Sequence, residues 1–134
     1  MASPTARTLA RLRRQGYAAA VVERWIPRIE RRSDLWRFGD VLAVHAQRRE
    51  FLIVQCTSVG NVASRLSKAR RQPELEQWLL AGGRFEVHGW TMRAGKPAVK
   101  VIEVKPGDLE AVVITKPSRK PRGNWQPTAL FGGF

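Results

Sequence analysis

Asp40 and the pair Gln55 and Thr57 are the residues of this chain whose types and spacing could do chemistry. Each belongs to a short apolar run. Asp40 opens Asp40-Val41-Leu42-Ala43-Val44, and Gln55 and Thr57 close Phe51-Leu52-Ile53-Val54-Gln55-Cys56-Thr57. Runs of this kind read as strands buried on both faces. A polar side chain in such a place must be hydrogen-bonded, paired or bound to a metal, because burying it bare costs about 2–7 kcal/mol. Strands alternate faces, so Gln55 and Thr57 point one way and Cys56 the other. An aspartate on one strand facing polar residues at i and i+2 on its neighbour can hold a divalent cation through oxygen ligands.

The surrounding elements must place these residues. Residues 5–15 carry Leu9 and Leu12 among arginines and read as a short amphipathic helix stopped by Gly16. Tyr17 to Val22 reads as a strand. Glu23 to Trp36, broken by Pro27 and by many charges, reads as a loop or an irregular hairpin arm. Asp40 to His45 is a second strand, Gln47 to Glu50 a polar turn, and Phe51 to Thr57 a third strand. Ser58 and Asn61 are both N-cap residues in type for a helix over about 61–71. On it Val62, Leu66 and Ala69 line one face, while Arg65, Lys68 and Arg71 lie mainly off that face. Pro73 suits the first turn of another short helix, which Gly82-Gly83 ends. Phe85 to Trp90 and Ala98 to Val104 form a last pair of strands around a turn at Arg93 to Pro97. One domain over residues 1–114 is expected. Residues 115–134, rich in Lys, Pro, Arg and Gly, read as a basic flexible tail.

Charge indicates the class of partner. The chain has 24 Lys and Arg against 11 Asp and Glu, a formal net charge of +13. So large a surplus points to a polyanion, and nucleic acid is the leading candidate. Arg13, Arg14, Arg31 and Arg32 in the first third, and Arg65 and Arg71 after the third strand, are the expected phosphate contacts. Arginine suits that task because its planar fork binds phosphate oxygens in pairs. No run approaches the roughly 20 apolar residues of a membrane span. The basic start lacks an apolar signal core, and a lone cysteine suits a reducing compartment. A cytoplasmic protein without membrane contact is therefore expected. Cys56 itself reads as a small core residue.

The element order, Gly39-Asp40 opening a strand, and a polar-x-polar strand end about fifteen residues later resemble the PD-(D/E)XK nuclease superfamily. The Holliday-junction-resolvase-like and Mrr-like branches, with their GDVIA…(E/Q)xK text, are the most similar. The resemblance covers roughly residues 5–90. It implies an α/β, restriction-endonuclease-like αβββαβ core, a central mixed sheet flanked by helices. It also implies a Mg²⁺- or Mn²⁺-dependent endonuclease of phage or prokaryotic type, with branched DNA as the expected substrate and a homodimer as the expected form. By the same resemblance Asp40, Gln55, the Cys56 carbonyl and Glu23 would be the metal ligands. Thr57 stands where the family has its lysine, and Lys68 or Arg65 on the next helix would substitute for it. A catalytically inactive DNA- or RNA-binding protein on the same fold is the alternative.

Other features receive plainer readings. Glu103-Val104-Lys105 is a literal E-x-K, but Pro106-Gly107-Asp108 follows it where a covering helix is required. His45 and His88 lack the paired spacing of a zinc site and read as ordinary strand residues. Trp78 and Trp90 read as core. Trp25 and Trp36 flank the basic arm and either pack or stack on unpaired bases. Gln126, Leu130 and Phe131 resemble the short peptides that dock on sliding clamps, although a tail folded back on the domain would use the same apolar residues.

Overall fold

Ser3 starts the first helix. Its hydroxyl accepts the Ala6 amide at 3.1 Å, and Pro4 needs no partner at the first helical position. The computed structural model describes residues 2–109. Expectations for the tail, including Gln126, Leu130 and Phe131, lie outside the described residues. Helix α1 (Pro4–Arg14) buries Thr8 and Leu12 and ends among Arg11, Arg13 and Arg14, which complement its dipole. Gly16, at φ +95°, then reverses the chain.

Among the described residues seven strands follow. They are β1 (Ala18–Val21), β2 (Arg24–Ile26), β3 (Arg31–Ser33), β4 (Val41–His45), β5 (Glu50–Ser58), β6 (Arg84–Arg93) and β7 (Lys96–Val104). Helices α2 (Val62–Arg70) and α3 (Pro73–Leu80) lie between β5 and β6. The central sheet has the order β1-β4-β5-β6-β7. β5 and β6 are parallel and the other neighbours antiparallel, so the fold is α/β with a mixed sheet. A parallel pair needs a long crossover, and α2 and α3 supply it.

The sheet has a core on each face. Leu12 and Tyr17 pack on Val41, Ala43, Leu52, Val54 and Cys56 on the α1 side. Phe38, Ile53, Val62, Ala69, Leu75, Leu79, Phe85 and Val87 fill the other side, under α2 and α3. The middle of β5 is thus buried on both faces, as its apolar run requires. Its far end is not, since Val44 and Phe51 lie beyond the cover of the helices and are exposed.

Two regions refine the sequence reading, and in the first it is the hairpin arm rather than the loop that forms. Glu23 to Trp36 holds an ordered two-stranded hairpin, β2–β3, joined by a tight helical turn at Pro27–Ile29. The last hairpin is longer than expected. Its turn is Ala94-Gly95, at φ 51° and 77°, and Pro97 pairs with Met92 inside β7. Two consecutive positive φ values make a two-residue hairpin turn whose twist suits the strands, and an edge strand tolerates proline. Among the described residues no helix is long and apolar enough to cross a membrane.

The approach to β4 is tightly fixed. Leu35 bridges Gly39, with Trp36 and Arg37 at φ 52° and 69° between them. Gly39 passes so close to β5 that a Cβ would lie 2.7 Å from Ile53 Cγ2. A glycine here brings Asp40 against the strand that carries Gln55.

Candidate functional site

Asp40 is held by its backbone before its side chain makes any bond. Its N–H donates to the Val54 carbonyl at 2.9 Å, and its carbonyl accepts from Val22 N–H at 2.8 Å. The carboxylate turns toward the α2 side, the face it shares with Leu42, Ile53 and Gln55. Oδ2 accepts from Gln55 Nε2 at 2.6 Å and from Cys56 N–H at 2.7 Å. Asp40 is 3% exposed and Gln55 2%. These bonds leave Asp40 Oδ1 and Gln55 Oε1 as the oxygens open to a ligand. The N–H and C=O of one strand residue point to the same edge, so the Cys56 carbonyl also faces the gap beyond the end of β4. The Cys56 thiol lies on the other face, where burial pushes its pKa up to about 12.

Three chain segments bring acids together here. Glu23 follows β1, Asp34 follows β3 and Asp40 precedes β4. One carboxylate oxygen from each lies within 4.8 Å of the others. Burial, and then the closeness of Asp34 and Glu23, push the Asp40 pKa from 3.8 to about 8 against the lowering effect of the Cys56 amide. Burial and the neighbouring acids thus favour the protonated form of Asp40 near neutral pH. An all-oxygen set of carboxylates, an amide and a carbonyl is the donor chemistry that Mg²⁺ and Mn²⁺ prefer. Glu23 also pairs with Arg32 at 3.3 Å.

These residues form the floor of a cleft of about 700 Å³. Arg31, Arg32 and Arg37 enter it from the hairpin and the loop after it, and Arg65 and Lys68 enter it from α2. Of the residues singled out in the sequence, Glu23, Asp40, Gln55, Cys56, Arg31, Arg32, Arg65 and Lys68 meet in this cleft. Thr57 does not line it. It is buried beside Gly89 of β6, which packs against Val59 and Val62. Arg71 caps α2 outside the cleft, with Nη1 3.5 Å from Ser67 Oγ. Arg13 and Arg14 end α1, roughly 14 Å along the helix from the cleft residue Thr5, and Arg13 donates to the Ala19 carbonyl at 3.0 Å.

Asp34 and Arg37 went unrecognised in the sequence. The one sign of Asp34 was an acid in a basic stretch six residues before Asp40.

Other singled-out residues have structural partners. His88 sits between Thr8 Oγ1 at 3.2 Å and Glu86 Oε1 at 2.9 Å. His45 bonds the Gln15 carbonyl. Glu103 accepts from Arg84 at 2.9 Å. Trp78 and Trp90 are half-buried and donate to the Arg84 carbonyl and to Thr8 Oγ1. Trp36 leans toward Phe38 and Trp78, with ring centroids 6.2 and 6.4 Å apart. Trp25 is exposed. No protein-family model, curated protein or solved structure matches this chain.

Proposed function

We propose that the cleft is the site of a metal-dependent endonuclease that hydrolyses phosphodiester bonds in DNA, with branched DNA as the preferred substrate. The observation that carries this reading is an acid floor beneath a cationic rim. Three carboxylates lie with one oxygen each within 4.8 Å of the others, Gln55 is bonded to one of them, and five Lys and Arg side chains line the same cleft. Neither charge alone suits hydrolysis of a phosphodiester. Carboxylates alone repel it, and cations alone bind it unchanged.

The order α1, β1, β4, β5, α2, β6 supports a restriction-endonuclease-like αβββαβ core, with the β2–β3 hairpin inserted after its first strand. Asp40 Oδ1, Asp34, Glu23, Gln55 Oε1 and the Cys56 carbonyl would hold Mg²⁺ or Mn²⁺. Bound there, the ion would supply Lewis-acid stabilisation of the phosphorane-like charge and a more acidic water. Gln55 and the Cys56 amide orient the Asp40 carboxylate. Lys68, already in the cleft, would take the part of the lysine that Thr57 cannot supply. Arg31, Arg32, Arg37 and Arg65 would hold the flanking phosphates. A homodimer would match the two symmetric strands of a junction, and the lone buried thiol suits a reducing cytoplasm.

A non-catalytic nucleic-acid-binding protein on the same fold is the second reading, favoured by the buried threonine at the lysine position. The test incubates a labelled four-way junction and a matched duplex with Mg²⁺, Mn²⁺ or EDTA. Metal-dependent cutting of the junction is expected from the native protein, with at least about a hundredfold loss in Asp40→Ala. Binding without cutting under every metal would establish the second reading instead.

A further inference from the structure

Two troughs meet at the Glu23–Arg32 ion pair. One is the cleft over Asp40. The other, of about 390 Å³, lies between the first turns of α1 and the end of β1, against Ser3, Leu9 and Val21. Thr5, Glu23 and Arg32 line both. A path therefore leads from Arg65 and Lys68, over the acids and across the ion pair, to the start of α1. Asp40 and Gln55, which line it, are 3% and 2% exposed.

The geometry points to one unpaired strand of nucleic acid, rather than a continuous duplex, as the occupant of this path. The inference rests on the reading of the cleft as a phosphodiester site and names its substrate class. A paired backbone is tied to its helix and to a second strand across a groove about 12 Å wide. It can lie along the arginine rim, but a carboxylate as buried as Asp40 is reached more readily by a backbone free to bend. A strand released from pairing can do so, for the reason that enzymes acting on a base draw it out of the stack.

A released strand has lost stacking, and Trp25 can replace it. Trp25 is 53% exposed. It pairs across the hairpin with Arg32, so the two share the hairpin face opposite Ile26 and Arg31, which line the cleft. The indole lines neither trough, but it stands across from Arg32, the residue at which the two meet, where a strand leaving the cleft over the hairpin would reach it. An exposed aromatic ring next to a cationic groove is how proteins hold single strands without reading sequence. Trp36 is also exposed, but Phe38 and Trp78 lie beside its ring and it stands outside the lining of both troughs.

The test measures binding of short labelled oligonucleotides by fluorescence anisotropy, with Ca²⁺ at fixed ionic strength. The probes are single-stranded DNA, the same sequence as RNA, a blunt duplex, and a duplex with a single-stranded overhang. The single strand and the overhang should bind about tenfold more tightly than the blunt duplex, despite the lower charge density of the single strand. Trp25→Ala should remove most of that advantage, Trp25→Phe should restore it, and melting curves of both variants should overlay the native one. RNA bound as well as DNA supports the inference with the sugar unselected, and weaker RNA binding supports it with DNA as the ligand. A duplex bound as tightly as the single strand overturns it, as does a Trp25→Ala loss equal for both. Cutting is scored separately in Mg²⁺. Preference without cutting ends the hydrolytic reading and leaves the unpaired strand as the ligand.

Discussion

Asp40 is a carboxylate whose burial and acidic neighbours oppose its ionisation. Its folded pKa of about 8 lies above its value of 3.8 in open chain. Below about pH 4 both states hold the proton, and the group does not affect stability. Between pH 4 and 8 the folded state keeps a proton that the unfolded chain releases, so stability falls as pH rises and levels off above 8. Asp40→Asn keeps an acceptor for Gln55 and Cys56 and adds donors toward Asp34 and Glu23. In EDTA its melting temperature should match the native value near pH 4 and exceed it by roughly 4 °C or more at pH 8. Mg²⁺ at pH 8 should raise the melting temperature of the native protein and leave that of the variant unchanged. An equal response in both would remove Asp40 from the ligand set. Cys56, though its backbone borders the same cleft, keeps its thiol on the opposite face and inert.

At the scale of elements, the two ends of the sheet do different work. The cleft lies at the end of β5 that carries Gln55. At the other end Arg84 on β6 holds Glu50 of β5 at 2.8 Å, Glu86 of β6 at 3.2 Å and Glu103 of β7 at 2.9 Å. Tyr17 adds a hydroxyl bond to Glu50 at 2.5 Å, which helps to lower the Glu50 pKa. Arg84→Met would leave three carboxylates facing one another. A loss of about 2 kcal/mol in urea unfolding is expected, below the 3–5 kcal/mol of a fully buried pair because solvent reaches this one. Cleavage per folded molecule should be unchanged. The same scale explains what could be read in the sequence. Asp40 and Gln55 were legible because two apolar runs mark neighbouring strands whose alternation fixes where such residues point, whereas Lys68 was reached only through the resemblance to the nuclease superfamily. Asp34 and Arg37 depend on turns made by Glu30, Trp36 and Arg37 at positive φ, where glycine or asparagine would have marked the turn. Thr57 was placed in the right strand and on the right face, but α2 and the turn before it cover the end of that strand.

For the whole molecule, a charge of +13 favours a polyanionic partner and leaves open which cations would touch it. Arg14 and Arg31 belong to one cluster in the sequence, yet α1 carries Arg14 to its far end while Arg31 lines the cleft. The dependence of affinity on salt separates them. Arg65→Ala should weaken binding and flatten the log–log salt slope by about 1, whereas Arg14→Ala should change neither appreciably. Equal effects would mean that the nucleic acid wraps the whole domain. The chain order of the site has a further consequence, in time. Glu23, Asp34 and Asp40 fall within eighteen consecutive residues, while Arg65 and Lys68 belong to the crossover that completes the parallel strand pair. Contacts close in sequence form early and crossovers late, so a folding molecule gathers its three acids, with Arg31, Arg32 and Arg37 among them, before Arg65 and Lys68 arrive. Refolding should be faster in Mg²⁺ than in EDTA at pH 8, and Asp40→Asn should abolish the difference. A divalent ion that sped refolding in this way would be a folding partner of the young chain before it met any strand of nucleic acid.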